Sequence, residues 1–286
     1  MNARTLSNHA FALAACCLAA WLPLPVLAQE DTGGPDPWID RMVEALRPSD
    51  SMRATIAAWT KDESGSERKF EIEVLRHSEP GHLTAIVEMR EKRTPAPAVL
   101  KIESWSGGEV VSWSWDVRFG RFVRMAGLKG TEVFAGTHFR FEDLGFTDLR
   151  GRRGGAIHEL RDEGRALVEV ESGPYFYYGR VVTRIDRDSG LPVSAVIYDQ
   201  TRARIRELHY GAVRDISGFA VPTLLQYRDE MTRAESRLHF REVELGFPVS
   251  VEDFDLEVLE RRMKAGEDPV RRPGDTARAT AGDESG

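Results

Sequence analysis

Residues 131–146 read TEVFAGTHFRFEDLGF and break the pattern of the chain around them. On both sides apolar and polar residues alternate with the period of two that marks a strand with one buried face. Here four phenylalanines, Phe134, Phe139, Phe141 and Phe146, and a Gly136-Thr137 corner interrupt that alternation. Phe139 and Phe141 are followed by the carboxylate pair Glu142 and Asp143 and by Leu144. A segment with this much aromatic surface has to bury it, and without strand periodicity it reads as an apolar insertion lying across the open face of a sheet.

Working outward, Phe70, Ile72 and Val74 alternate with Glu71, Glu73 and Leu75, and Leu83, Ala85, Val87 and Met89 alternate with Thr84, Ile86, Glu88 and Arg90. Asp62-Glu63-Ser64-Gly65-Ser66 and Glu79-Pro80-Gly81 supply turns between such runs. Residues 99–105 and 109–116 flank Gly107-Gly108, the composition of a tight hairpin, and Val111, Trp113 and Trp115 share one face of its second strand. A short strand is predicted at 121–125. Downstream, seven more are predicted at 156–161, 165–171, 179–187, 192–198, 204–212, 221–229 and 233–245. Helix is predicted only at the ends. Asp36 and Pro37 open one whose stripe is Trp38, Met42, Val43 and Leu46 before Pro48 stops it, and 250–259 form a short helical or extended finisher carrying Phe254, Val258 and Leu259. A long meander with few helices cannot cover both faces of its sheet, so the fold class is mainly β, with a curved sheet, an apolar cleft and helices over one side.

The chain has 286 residues, two cysteines and a net charge of −7. Charges of both signs are interspersed, which describes a solvated surface and excludes a nucleic-acid footprint. Residues 1–28 carry Arg4, an apolar run and a terminal Ala28, and read as a secretory signal cleaved after Ala28. An uncleaved anchor and a lipobox at Leu13-Ala14-Ala15-Cys16 are the competing readings. Both Cys16 and Cys17 lie inside that segment, so the exported chain would hold no disulfide, cysteine nucleophile or thiolate metal site. The expected organisation is a signal peptide at 1–28, a mobile leader at 29–36, a single domain at 37–262 and a disordered tail at 263–286, in the periplasm.

Chemistry is sparse. No G-x-S-x-G elbow, H-E-x-x-H, P-loop or dinucleotide fingerprint occurs. His209 and His239 could face each other on neighbouring strands, but cross-strand surface histidines are the simpler account. His138 with Glu142 is the one acid–base-like group, and Asp143 equally suits a turn that binds backbone amides. The basic loop at 150–155 and the aromatic knot at 174–178 admit ligand contact or plain surface packing. No catalytic residue, cofactor or metal is expected.

The core Gly136-Thr137-His138-Phe139-Arg140-Phe141-Glu142-Asp143-Leu144 resembles the central motif of the outer-membrane lipoprotein-sorting proteins, the LolA-like periplasmic carriers. The resemblance runs from about 37 to 259, through Arg53 and Thr55, the Gly218-Phe219-Ala220-Val221-Pro222 corner and Phe254 to Leu259. It departs at His138, where the family often has an acidic residue, and at Ala98-Val99-Leu100-Lys101, where the family has Lys-Gly-Thr. The resemblance implies an incomplete antiparallel β-barrel with helices on its concave face, and a cavity for lipid or the acyl chains of a lipoprotein. Phe70, Ile72, Val74, Val111, Trp113, Trp115 and Phe122 would line that cavity, with Phe134, Phe139 and Phe141 as lid or wall. Gly136, Thr137, Glu142, Asp143 and Leu144 complete the motif. The implied function is a non-enzymatic, monomeric carrier that receives lipid or acylated lipoprotein from an inner-membrane transporter and passes it to an outer-membrane acceptor. An accessory or sensor subunit of an envelope complex, and a hydrolase using His138 and Glu142, are the alternatives.

Overall fold

The computed structural model describes residues 36–91, 97–106, 109–125, 133–146, 154–162, 164–173 and 178–270. The expected signal segment, most of the leader, the Gly107-Gly108 turn, most of the basic loop, all of the aromatic knot except Tyr178, and residues 271–286 lie outside these.

The chain opens with α1, Pro37–Ala45. Asp36 caps it by accepting the Trp38 amide at 2.8 Å, and Pro37 takes the first turn, where its missing N–H costs nothing. Six strands follow: β1 Ser51–Lys61, β2 Glu67–Glu79, β3 His82–Arg90, β4 Ala98–Trp105, β5 Val110–Asp116 and β6 Arg121–Met125. A single 3-10 turn, Glu142–Leu144, ends the insertion. The second half comprises β7 Gly154–Asp162, β8 Arg165–Ser172, β9 Arg180–Asp186, β10 Pro192–Tyr198, β11 Arg204–Ile216, β12 Phe219–Asp229 and β13 Glu235–Leu245. Another 3-10 turn, Val251–Phe254, leads into α2, Leu256–Lys264, capped by Asp255.

All thirteen strands form one antiparallel, curved and unclosed sheet in the order β6-β5-β4-β3-β2-β1-β13-β12-β11-β10-β9-β8-β7. Two meanders meet at the centre, where β1 pairs with β13 in a register that slips at Thr55/Ile56, a bulge that bends the strand. The edges are β6 and β7, which are consecutive in sequence. The phenylalanine-rich insertion lies between them in the chain.

The inner face is defined by one cluster that gathers Met52, Ile56, Phe70, Ile72, Val74, Leu83 and Val87 from one meander with Val181, Ile197, Leu208, Leu225 and Leu238 from the other. Side chains from strands so far apart in sheet order converge only on a concave side. Helix α1 covers one end of it, burying Ile39, Met42 and Val43 against Val168, Val170 and Ile185 of β8 and β9.

Helix α2 lies on the opposite face. Leu259, Phe254 and Val270 pack there on Leu75, Ile86, Val99 and Phe122, with Trp113 and Trp115 alongside. Strands β2 and β3 are consequently apolar on both sides: Val74 points in and Leu75 out, Val87 in and Ile86 out. The expected domain limit at 262 falls inside α2. Residues 263–270 are not a loose tail, because Val270 is fully buried in the outer cluster and Arg262 donates to the Asp268 carbonyl at 2.5 Å.

Candidate functional site

The insertion is a folded plug. Ala135 and Gly136 have φ of 45° and 70°, so the chain reverses at the Gly-Thr corner. Thr137 closes that corner: its amide and hydroxyl both donate to the Phe134 carbonyl, at 2.9 and 2.6 Å, and its oxygen accepts the Phe139 amide at 3.2 Å. Asp143 accepts the Arg140 amide at 2.7 Å, which is the turn-capping role its residue type suggests. Gly145, at φ 73°, ends the 3-10 turn and lets the Phe146 amide reach the Phe141 carbonyl at 3.0 Å.

This backbone presents Phe134, Phe139, Phe141 and Phe146 to the inner face, all buried. Phe134 meets Phe141 edge-on at 5.6 Å and stacks on Phe146 at 5.4 Å, while Phe139 meets Tyr227 edge-on at 5.8 Å. The plug is also tied down by polar contacts. Arg47, just after α1, donates to the Gly145 carbonyl at 2.8 Å, and the Tyr210 hydroxyl donates to the Asp143 carbonyl at 3.0 Å. Buried Arg76 on β2 reaches the Leu46 and Ser49 carbonyls at 3.3 Å each. Burial, with Arg47 beside it, lowers the Arg76 guanidinium to about 10, so it stays charged at neutral pH.

A second polar group sits deeper. Arg206 on β11 is 3% exposed and occupies the inward phase of its strand with Leu208 and Tyr210. It donates to the Tyr178 hydroxyl and lies over the Tyr178 ring at 4.6 Å. The carboxylates of Glu142 and Asp143 face it at 3.7 and 3.8 Å, as ion pairs too long for hydrogen bonds. Burial opposes its charge, but the Asp143 carboxylate, Tyr178, Tyr227 and Glu142 together hold it above the usual guanidinium range. Burial likewise pushes the Tyr227 hydroxyl up to about 12 and raises those of Tyr178 and Tyr210, so all three remain protonated.

Among the described residues the inner face holds two small voids of about 50 and 40 Å³, one beside Arg206, Tyr178 and Ser172, the other between Arg76, Phe146 and Leu225. Ligand pockets usually hold roughly 300–1,000 Å³. A larger concavity, about 780 Å³, is an open groove elsewhere, bordered by Ala57, Trp59, Lys69, Arg237, His239 and Arg241. By strand parity the side chains of Ala57, Trp59, Arg237 and His239 belong to the outer face, and the groove also reaches Ala58 and Phe70 of the inner cluster.

The residues expected to line one cavity fall on two faces. Phe70, Ile72, Val74, Phe134, Phe139 and Phe141 come together on the inner side. Phe122, Trp113 and Trp115 belong to the outer cluster beneath α2. Val111 shares their phase on β5, whereas Val110 joins the inner cluster. The physical reason is parity: Trp113 and Trp115 are an odd number of residues from Val110, and the pleat turns them away.

His138 and Glu142 do not act on each other. His138 Nδ1 lies 2.8 Å from Ser236 Oγ, and its ring stacks on Tyr227 at 5.6 Å, while Glu142 faces Arg206. Ser236 is fully buried and also accepts the His138 amide at 3.0 Å, so the pair anchors the plug to β13 and its hydroxyl meets no solvent. His209 and His239 are separated by β12, and His209 pairs with Glu207 at 3.1 Å. Carboxylates do gather on the outer face: Glu73, Glu88 and Asp268 lie within 4.8 Å of one another. Arg90 is their shared cation, at 3.8, 2.6 and 2.9 Å respectively, and the group pins the segment after α2 to the sheet.

This latch has a pH signature. Burial raises the Glu88 carboxyl from its ordinary 4.5, and the nearby Asp268 charge adds to the shift against the pull of Arg90. A carboxyl raised in the folded state contributes stability that is complete below 4.5 and is lost as pH rises through the raised value. At neutral pH the ionised Glu88 is a net burden. Glu88→Gln keeps an oxygen for Arg90, so its thermal midpoint is expected to exceed wild type at neutral pH and to converge with it below pH 4.5. A lower midpoint at neutral pH would show that the Arg90 ion pair outweighs the burial.

A family model described as that of an uncharacterized protein matches residues 86–261. No curated protein sequence matches the chain. Among solved structures, a DUF1329-family protein from Desulfovibrio piger superposes with a TM-score of 0.67 at 13% identity, covering 77% of this chain and 96% of that one. A domain named for outer-membrane lipoprotein sorting, from Vibrio parahaemolyticus, gives 0.67 at 16% identity, covering 78% and 97%. A LolA-superfamily protein from Nitrosomonas europaea gives 0.58 at 15%, covering 77% and 96%. At these identities the likeness is one of fold.

Proposed function

The chain belongs to the family of uncharacterized proteins whose model spans residues 86–261 and has a LolA-like fold, and from this we propose that it is a carrier of lipid or of lipoprotein acyl chains in the periplasm. One observation carries the reading: four phenylalanines of an insertion outside the strands fill the concave face of the sheet, among apolar residues of both meanders.

Magnitudes support an exchange. Burying a phenylalanine contributes about 1.5–3 kcal/mol, so the four together give roughly 6–12 kcal/mol. An acyl chain contributes about 0.8 kcal/mol per buried CH₂, so a dozen methylenes give roughly 10 kcal/mol. Chain and plug are therefore near-equivalent occupants of one face. The free protein keeps its apolar surface covered, and cargo can displace the plug without a large net cost. Two solved neighbours, one named for outer-membrane lipoprotein sorting and one of the LolA superfamily, agree with this use of the fold. Acyl delivery between membranes fits the expected export of the chain.

The test is native mass spectrometry of the protein purified from the periplasm, followed by lipid extraction. A co-purifying phospholipid or acylated peptide is the expected result. An empty protein that neither takes up a fluorescent fatty acid nor loses amide protection across residues 133–146 on exposure to it would overturn the carrier reading. If such a protein also co-purified with a membrane complex, the accessory-subunit alternative would stand in its place.

A further inference from the structure

We infer that Arg206, with the Tyr178 hydroxyl, forms a head-group subsite on the inner face that takes the anionic end, carboxylate or phosphate, of an amphiphilic ligand. This rests on the carrier reading and adds the charge of the cargo to it.

The first argument is unfilled capacity. A guanidinium has five N–H donors, and one of Arg206's is used, on the Tyr178 hydroxyl. Its Nε and Nη1 are buried and have no hydrogen-bond partner among the described residues. Glu142 and Asp143 neutralise the charge from 3.7 and 3.8 Å without making those bonds. Arginine's planar fork suits bidentate carboxylates and phosphates, so the group is prepared for a better acceptor than it has.

The second argument is location. Arg206 is in the inward phase of β11 and borders the void of about 50 Å³ that also touches Ser172, Thr183 and Tyr210. Apolar Leu208, Ile197 and Val181 continue the same surface. A polar nest at the end of an apolar track has the layout of a site for an amphiphile with one charged end.

The third argument is charge balance. Both carboxylates that face Arg206 are carried by the plug, in the 3-10 turn Glu142–Leu144. When the plug leaves the inner face, they leave with it. A buried guanidinium stripped of its counter-ion is strongly unfavourable, so a neutral hydrocarbon exchanges poorly with the plug. An anionic amphiphile replaces phenylalanines with methylenes and carboxylates with its own head, and so compensates both losses.

The experiment compares three probes of the same long alkyl chain: a fatty acid, an alkyl phosphate and a fatty alcohol, each ionised state fixed by pH. Displacement of a chain-fluorescent reporter measures affinity. Wild type should bind both anions about 10- to 100-fold more tightly than the alcohol, the ratio expected when charge-assisted hydrogen bonds are gained. The preferred anion tells carboxylate from phosphate. Arg206→Met should collapse the ratio to about one. Glu142→Gln/Asp143→Asn keeps Arg206 and weakens only the plug-in state, so all three probes should bind more tightly while the anion-to-alcohol ratio persists, which preserves the test if Arg206→Met fails to fold. Equal binding of alcohol and anions by wild type and by Glu142→Gln/Asp143→Asn overturns the head-group subsite and leaves the carrier reading intact. No binding of any chain by wild type overturns the carrier reading itself.

Discussion

Arg206→Ala is expected to cost about 3–5 kcal/mol of stability in urea unfolding followed by intrinsic fluorescence, the loss typical of one partner removed from a buried ion pair. The guanidinium is almost wholly buried, holds the Tyr178 hydroxyl and balances Glu142 and Asp143. Without it, two carboxylates remain in an apolar interior with their hydration removed. Most of the cost is expected to come from two buried carboxylates that lose the cation facing them. In the Glu142→Gln/Asp143→Asn background the same Arg206→Ala change should therefore cost much less. An equal cost in both backgrounds would mean that Arg206 acts through packing on Tyr178 and Tyr227, where it lies 4.6 and 6.0 Å from the ring centres. The double-mutant comparison separates the two because it removes the charges without removing the rings.

Arg206 also marks what can be read from the sequence. Its signal is a charge in the apolar phase of a strand: Arg206 falls in step with Leu208 and Tyr210, as Arg76 does with Ile72 and Val74 and Ser236 with Leu238. A polar residue on an inward position has to be paired or functional, and that rule alone would have singled out all three. The strands themselves were legible because alternation and turn residues are local, and the observed bounds of β8, β10 and β12 lie within a few residues of those expected from pattern. The central motif was legible for the same reason, since Gly136, Thr137 and Asp143 each serve a turn within three residues of themselves.

What pattern could not decide was which face is inner. On β2 and β3 both faces are apolar, Val74 beside Leu75 and Val87 beside Ile86, because α2 covers the outer side of these strands. Parity separates Trp113, Trp115 and Phe122 from Val110, but naming the ligand-facing set requires knowing where α2 returns, a contact between residues more than a hundred positions apart. The pairing of β1 with β13 is of the same kind. Such contacts follow from the closing of two meanders on one another and leave no local trace.

Phe139→Ala combines a large structural effect with a functional one of opposite sign. Phe139 is fully buried in the plug against Tyr227, so truncation should remove about 3–5 kcal/mol from the docking of the insertion, by lost burial and an unfilled cavity. The thirteen-stranded sheet has its own ladder and its own outer cluster, so the loss should be local: hydrogen exchange should accelerate across residues 133–146 and stay slow in β1, β2 and β13. If cargo and plug compete for the inner face, weakening the plug must strengthen cargo binding, because the ligand no longer displaces as stable an occupant. Even a third of the docking loss passed to the ligand gives about tenfold tighter binding of a fatty acid. Weaker binding in Phe139→Ala would carry the opposite meaning, that Phe139 forms a wall of the ligand site and the chain enters elsewhere. The two outcomes differ in sign, so the measurement decides whether the stretch that organises the sequence is the stopper of the cleft or part of its lining.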